Sequence, residues 1–367
     1  PEGRQKLGAF FLFIVTTTTH HSDRRHPFRT NVRRVQNAIR RKMIIAALSL
    51  PLLLVCAAIA LFAVWLKRAD GDLTLLFCEK FGVSPASLQG KVVWITGASS
   101  GIGEWLSYKL AKVGAKLVIS GTNRQRLQAV HDRCLELKSH CEVLVLPFNL
   151  ADISCHADQF KKVLDCYGAV DVLVNNAGIC TLKHFEECTI EEDKAMFEVN
   201  VFGHVSLTRL VLVNATEAGR KVHIVATSSI SGTQGSCVAP VYAATKHAIQ
   251  GYFESVMVQG QVTGMIDVTI VCPGPVLTPL MDNAHGSISD EPAQKVAGVL
   301  LPDRCAELMS VAIANKLNTV WICENPVLVL FYWNQYVPGI YQRYIVSRLP
   351  WNKAGVHKKK VNGVVNV

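Results

Sequence analysis

The 367-residue sequence has 12 cysteines but no Cys-x-x-Cys pair and no His/Cys spacing that would close around a metal, so no metal site is expected and the thiols read as mostly free and buried. It has no internal repeat and no low-complexity tract, which argues against a solenoid or a linker-like chain. It also lacks a basic binding face, although the net charge of +10 first suggests one. Residues 1 to 42 hold ten Lys/Arg against two Asp/Glu, a net +8, which leaves only +2 for residues 43 to 367. Nucleic acid is therefore not an expected partner of the folded part.

Two further absences organise the N-terminal third. No methionine precedes Met43, and no charged residue interrupts Ile44 to Leu66. The run Met43–Leu66 is 24 residues long, and about 20 suffice to cross the hydrocarbon layer. It reads as a membrane anchor or a signal segment. Length favours a retained anchor, because a signal peptide carries an apolar stretch of roughly 7 to 15 residues. A buried core helix is disfavoured because the run has no polar face. Residues 1 to 42 form a basic leader, read as translated sequence upstream of a start at Met43; the alternative is an arm that binds acidic surfaces. With a start at Met43, Lys67 and Arg68 place the following domain in the cytosol. A glycosylation sequon, Asn214-Ala-Thr216, matters only if that domain is lumenal.

Residues 67 to 90 read as a connector, and from Lys91 the pattern turns to alternating strands and helices. Short β-branched runs predict parallel strands over 92–96, 116–120, 143–146, 172–175, 222–227, 268–271 and 319–322. Helices are predicted over 103–113, 123–138, 152–166 and 191–214. This alternation predicts an α/β fold, a Rossmann-type doubly wound parallel seven-stranded sheet in a single domain over 91–325. The tail, 326–367, is rich in aromatic and then basic residues; it could lie in a membrane interface or form a flap over the substrate cleft.

Between the first strand and helix stands Thr96-Gly97-Ala-Ser99-Ser100-Gly101-Ile102-Gly103. Its glycines remove side chains where backbone must approach a pyrophosphate, and the helix N-terminus offers amides to the anion. Because the triplet follows a strand and opens a helix, it has the context that dinucleotide binding requires. The end of the second strand lacks an acid to chelate the ribose hydroxyls of NAD. Thr122, Asn123 and Arg124 offer donors to a phosphate instead, which favours NADP(H) over NAD(H). Asn175-Asn176-Ala177-Gly178 leaves room for the cofactor at the fourth strand's end. After the sixth strand, Pro273-Gly274-Pro-Val276-Leu-Thr278 would turn backbone against the nicotinamide, the Thr278 hydroxyl bonding its carboxamide.

In Val241-Tyr242-Ala-Ala-Thr-Lys246 a phenol and an ammonium share a helix face at i,i+4. Nearby positive charge lowers a tyrosine pKa from about 10 toward neutrality, so Tyr242 is expected to exchange a proton with an alcohol or carbonyl. Ser229 stands thirteen residues upstream. Together with the glycine turn, Asn175-Asn-Ala-Gly178, Asn200 and Pro273-Gly274, these residues resemble the short-chain dehydrogenase/reductases in order and spacing over roughly residues 90 to 325. Gly71-Asp-Leu-Thr-Leu-Leu-Phe77, Val92-Val-Trp-Ile-Thr96, Cys272-Pro-Gly-Pro-Val276 and the aromatic tail are most similar to the membrane-anchored member 7 group of that family.

The resemblance implies Tyr242 as general acid or base, and Lys246 bonding the nicotinamide ribose and favouring the phenolate. It implies Ser229 holding the substrate oxygen and Asn200 anchoring a water that resupplies protons. It further implies a lipophilic substrate of the retinoid, steroid or xenobiotic ketone kind, an endoplasmic-reticulum membrane, and a dimer or tetramer, the dimer for an anchored member. Thr122 stands where relatives often carry arginine, and Asn149 replaces the usual aspartate near the adenine. His204 reads as a packing or solvent residue, and Leu280–Leu300 as a mobile lid. A catalytically silent nucleotide-binding membrane scaffold is the alternative, but no catalytic residue is lost. An epimerase-type extended relative would need a different glycine spacing.

Overall fold

The computed structural model describes residues 27–282 and 298–349. The chain divides into two compact units, Pro1–Val64 and Trp65–Val367. In the first, a helix Pro27–Lys67 (α1) runs through the apolar stretch. Its segment Leu53–Phe62 is apolar, and every side chain in it is exposed, Leu61 to 71%.

The second unit is built on a seven-stranded sheet in the order β3-β2-β1-β4-β5-β6-β7, all neighbours parallel. The strands are β1 (Val92–Thr96), β2 (Lys116–Gly121), β3 (Val143–Pro147), β4 (Val172–Asn175), β5 (Val222–Thr227), β6 (Ile266–Pro273) and β7 (Thr319–Ile322). Both faces are covered by helices, so the strands read as unbroken apolar runs rather than alternating ones. Strand β1 feeds both cores: Val93 and Ile95 pack with Leu106, Leu110 and Leu308, whereas Val92 and Trp94 pack with Phe160, Leu207 and Phe253 on the other face. Trp94 is fully buried, its indole N–H donates to Ser120 Oγ at 2.8 Å, and its ring stacks on Phe160 at 6.3 Å. Truncating such a side chain to alanine costs about 3–5 kcal/mol.

The helices that matter for the site are α2 (Leu73–Phe81), α3 (Gly101–Val113), α4 (Arg124–Leu137), α5 (His156–Tyr167), α6 (Ile190–Phe197), α7 (Gly203–Glu217), α8 (Pro240–Thr263), α9 (Pro302–Ala314), α10 (Val327–Tyr336) and α11 (Pro338–Tyr344). Strand order reverses between β1 and β4, which opens a crevice at the carboxyl ends of the strands. The helix expected over 191–214 is instead α6, a π-helical turn Glu198–Phe202, and α7. Two tertiary demands break its register. Asn200 reaches across to the Ile179 backbone, and a Cβ on Gly203 would lie 2.4 Å from the Leu150 carbonyl oxygen. The stretch Ile190–Glu217 is long and apolar enough to cross a membrane, but half of it is buried, and it carries core residues Leu207 and Val211.

Residues after α1 are tied into the sheet unit. Asp72 caps α2 by accepting from Leu75 N at 2.9 Å and also accepts from Trp321 N at 2.8 Å. Arg304 on α9 binds Asp70 at 2.7 Å and also Glu79. At the other end, Asn334 Nδ2 donates to the Thr233 carbonyl at 2.9 Å and Tyr341 Oη to Gln234 Oε1 at 2.8 Å. Helices α10 and α11 therefore brace the loop that follows Ser229.

Candidate active site

The glycine turn after β1 is shaped by what it lacks. Gly97 and Gly101 take φ of +66° and +61°, the left-handed region that L side chains avoid. A Cβ at Gly97 would meet Ala177 Cα at 2.7 Å, and one at Gly103 would meet the Gly97 carbonyl oxygen at 2.5 Å and Asn176 Nδ2 at 2.6 Å. Ser100, the N-cap of α3, makes no side-chain cap bond. A 13-residue helix thus begins with its first amides uncapped, beside backbone free of side chains. That is the chemistry of a pyrophosphate cradle, and a dinucleotide fits it. Ser99 packs at Gly121, the last residue of β2, where an added Cβ would lie 3.1 Å from its Oγ.

Asn176 holds this turn in register. Its backbone N–H donates to Thr96 Oγ1 at 2.9 Å and its Nδ2 to the Thr96 carbonyl at 3.0 Å, while Thr227 Oγ1 donates to its Oδ1 at 3.4 Å. One amide therefore joins the ends of β1, β4 and β5. Ala177 N also donates to Thr96 Oγ1, at 3.1 Å. Thr122, Asn123 and Arg124 lie exposed at the end of β2. Asn123 uses its Oδ1 to cap α4 at Arg126 N, 2.9 Å, and Asn149 uses its Oδ1 on Ala151 N at 3.1 Å. Both asparagines thus close local turns, a structural task that their place in the sequence does not announce.

On the β6 side, Gly274 passes so close to β7 that a Cβ would lie 2.4 Å from Cys323 Cβ. Pro273 is buried at the end of β6, and Val276 bridges to Leu300. Thr278 lies over the glycine turn, its Cγ2 3.1 Å from the position of a Cβ on Gly101. The structure thus sets Thr278 against the glycine turn. Of the stretch read as a lid, residues 283–297 lie outside the described residues.

The second half of the site is made of side chains. Tyr242 sits in the first turn of α8, started by Pro240 at a position where no backbone donor is needed. Ser229 caps the short turn after β5 through Ser231 N at 3.1 Å, and its hydroxyl hydrogen-bonds the Tyr242 phenol. Its neighbour Ser228 turns the other way, donating to the Lys246 carbonyl at 3.1 Å. Lys246 is 3% exposed, its Nζ donates to the Thr227 carbonyl at 2.8 Å and stands 5.5 Å from the Tyr242 ring centroid. Asn200, fully buried in the π turn, clamps Ile179 with both amide atoms, at 2.8 and 2.9 Å, and reaches Thr245 Oγ1 at 3.1 Å.

Burial sets the proton chemistry of this group. It lowers the Lys246 pKa to about 8, because a charge without solvent is disfavoured. It raises the Tyr242 phenol above its ordinary range, with Ser229 opposing. The lowered phenol expected from the i,i+4 lysine is therefore not what the protein alone produces. Lys246 spends its ammonium on the Thr227 carbonyl, and desolvation outweighs it at the tyrosine. An apolar wall beside Tyr242, made of Cys180, Leu182, Ala239 and Leu280, was not foreseen from the sequence. Burial pushes the Cys180 thiol up to about 12. The available signals were Cys180, two residues beyond the Asn-Asn-Ala-Gly turn, and Ala239, just before Pro240. Among the described residues no cluster could hold a metal ion.

The family model of short chain dehydrogenases matches residues 91–287. The human protein named dehydrogenase/reductase SDR family member 7 is 38% identical over 299 residues, covering 78% of this chain and 87% of its own length. The mouse member 7B is 32% identical, covering 72% of this chain and 83% of its own. An alcohol dehydrogenase from the archaeon Thermococcus sibiricus, solved with 5-hydroxy-NADP, superposes with a TM-score of 0.57 at 26% identity, over 64% of this chain and 97% of its own. With its seven-stranded sheet, glycine turn and Ser229–Tyr242–Lys246 group, the chain belongs to the short-chain dehydrogenase/reductase family of NAD(P)-dependent oxidoreductases.

Proposed function

We propose that this chain is a membrane-anchored oxidoreductase that transfers hydride between NADP(H) and a lipophilic carbonyl or alcohol, of the retinoid, steroid or xenobiotic ketone class. The observation that carries the reading is the meeting of Ser229, Tyr242 and Lys246 at the apolar wall of Cys180, Leu182, Ala239 and Leu280. The nicotinamide, when bound, supplies or accepts the hydride. Tyr242 gives a proton to the substrate oxygen in reduction and takes one in oxidation. Ser229 donates to the same oxygen and stabilises its developing charge. Lys246 holds positive charge beneath the phenol, and Asn200 fixes the Gly178–Ile179 turn against which the cofactor would lie.

The turn amides of Gly101 to Gly103 would hold the pyrophosphate, with Gly97, Ser99, Ser100, Ile102, Ala177 and Gly178 providing clearance. Thr122, Asn123 and Arg124 would take the 2′-phosphate, since no acid follows β2. Asn149 would border the adenine, and Pro273, Gly274, Val276 and Thr278 would flank the nicotinamide. Anchoring is supported by the exposed apolar segment Leu53–Phe62 and by the exposed aromatic residues Trp333, Tyr336 and Tyr344, the last with the Arg343 guanidinium 5.7 Å from its ring. The endoplasmic reticulum is the membrane, and a homodimer the assembly, that the family resemblance implies.

The test is NADPH oxidation by the full chain in phospholipid vesicles against a panel of ketones and aldehydes graded by lipophilicity. Turnover rising with lipophilicity is expected, and faster with NADPH than NADH at equal concentration. A clear preference for NADH would reject the cofactor assignment, and turnover confined to charged hydrophilic carbonyls would reject the substrate class.

A further inference from the structure

Helix α2 is apolar on two sides. Leu75 and Leu76 are buried in the core with Val320 and Ile322 of β7, whereas Leu73, Phe77 and Phe81 form an exposed stripe at four-residue spacing, Phe81 to 73%. Phe77 and Phe81 meet ring to ring at 5.1 Å on the outside of the molecule. Single exposed apolar side chains are ordinary, but a whole row along a nine-residue helix calls for a partner.

The row continues onto the C-terminal helices. Asp72, the cap of α2, donates its N–H to the Trp321 carbonyl at 2.9 Å and accepts from Trp321 N at 2.8 Å. The Trp321 ring meets Tyr332 edge-on at 5.0 Å, and Tyr332 stacks on Tyr336 at 6.2 Å. Tyr336 is 74% exposed, and Val337, Ile340 and Tyr344 are exposed beyond it. Charge narrows the choice of partner. No Asp or Glu occurs from Asn325 to Leu349, Glu79 is paired with Arg304, and the exposed charges along these helices are Lys80, Arg343 and Arg348. Aromatic rings beside cations, without a free acid, suit the headgroup layer of a bilayer. Connectivity points the same way. Six residues separate Lys67, the end of α1, from Leu73, and six residues reach at most about 20 Å. A bilayer that takes up α1 is therefore within that reach of α2.

We propose that Leu73, Phe77 and Phe81 of α2, with Tyr336, Ile340 and Tyr344 of α10 and α11, form a second membrane contact, made by the catalytic unit itself and seated in the headgroup layer. The proposal rests on reading α1 as the anchor. Its consequence lies at the site. On their inner side α10 and α11 hold the loop after Ser229, through Asn334 on the Thr233 carbonyl and Tyr341 on Gln234. Between that loop and α11 runs a groove of about 500 Å³, lined by Gln234, Cys237 and Tyr341. Seating the two helices in the headgroup layer brings this groove to the lipid surface, where a carbonyl dissolved in the bilayer would meet it.

The experiment puts tryptophan probes into the full chain, reconstituted in phosphatidylcholine vesicles with and without bromine near the carboxyl end of the acyl chains, since bromine quenches indole emission on contact. Phe81→Trp and Tyr336→Trp are the probes, each read as its difference from wild type. The control is Glu136→Trp, exposed on α4 beside β3. Strands β3 and β7 are the two edges of the sheet, six strand spacings apart, or roughly 30 Å. Both probes are expected to emit at shorter wavelength than the control and to lose at least about threefold more of their emission to bromine. Quenching at both no greater than at the control overturns the proposal, whether the face is then bare or covered by a second copy of the chain. Trp65→Phe, near the end of the apolar run, separates the levels. If bromine quenches Trp65 but neither probe, α1 is anchored and the second contact does not exist; if Trp65 is not quenched, the anchor reading fails, and the two probes still decide the contact.

Discussion

The two halves of the crevice are made in opposite ways. After β1, the shape comes from missing atoms: Gly97, Gly101 and Gly103 leave backbone amides bare, and an added carbon would press on Ala177 at Gly97, on Thr278 at Gly101 and on the Gly97 carbonyl at Gly103. Around α8, the proposed chemistry rests on side chains drawn from three distant stretches, Asn200, Ser229 and the Tyr242–Lys246 pair, and burial sets the protonation of that pair. The first half is steric, with its glycines in one short run. The second is electrostatic and belongs to the whole fold. Substitutions should separate the two, because damage at the turn will appear as lost cofactor affinity and damage at α8 as lost turnover.

The sharpest separation is expected from Tyr242→Phe. It removes a single oxygen from a helix whose packing it leaves intact, so the thermal midpoint should hold while kcat falls by about 10²- to 10⁴-fold. NADPH affinity, read by fluorescence titration, should change by no more than a factor of two or so. Gly103→Ala is the counterpart. A Cβ 2.5 Å from a backbone oxygen cannot be relieved by turning a side chain, so the turn must shift. Overpacking of this kind costs about 1–3 kcal/mol, and a cost of that size in the binding conformation would weaken NADPH binding by about fivefold to 150-fold. If Gly103→Ala bound NADPH normally, the steric half of the comparison would collapse.

How much of this could be read from the chain follows the same division. The bounds of β1, β4, β5 and β7 coincide with their β-branched runs, because strands covered on both faces need continuous apolar sequence. The glycine turn was legible because its glycines fall within eight consecutive residues, although the partners that make them necessary, Ala177, Asn176 and Thr278, come from far along the chain. The helix over 191–214 was not, since the break at Asn200 depends on a bond to Ile179, 21 residues away. The direction of the Tyr242 shift was misread for a related reason. Sequence spacing places Lys246 near the phenol but cannot show that Thr227 takes its ammonium or that the site is dry. Likewise the asparagines at 123 and 149 gave no sign that their side chains close local turns.

Lys246 offers a test of the electrostatic half that needs no substrate. Its pKa falls from 10.5 to about 8 on folding, so between those values the unfolded chain binds a proton that the native protein has released. Stability must then rise with pH across that window, relative to a variant without the amine. Other groups titrate there too, including the buried thiols, so the quantity to measure is the difference between wild type and Lys246→Met. Denaturant unfolding at pH 7.5 to 10.5 should show wild type gaining on the variant as pH rises, with no further change below about pH 8. A flat difference would mean that Lys246 keeps its charge at no cost, and that the α8 group is solvated after all.

The smallest effect is expected at Arg124, on the exposed rim of the turn. Its guanidinium opens α4 and is exposed to solvent, so a contact with a 2′-phosphate there would be screened and worth only about 1 kcal/mol. Arg124→Ala should therefore raise the KM for NADPH by about fivefold and leave that for NADH unchanged. Thr122 and the Asn123 amide nitrogen would hold the remaining preference. Equal weakening toward both dinucleotides would instead assign Arg124 to the shared adenosine half, and the choice of NADPH would then have to come from Thr122 and Asn123 alone.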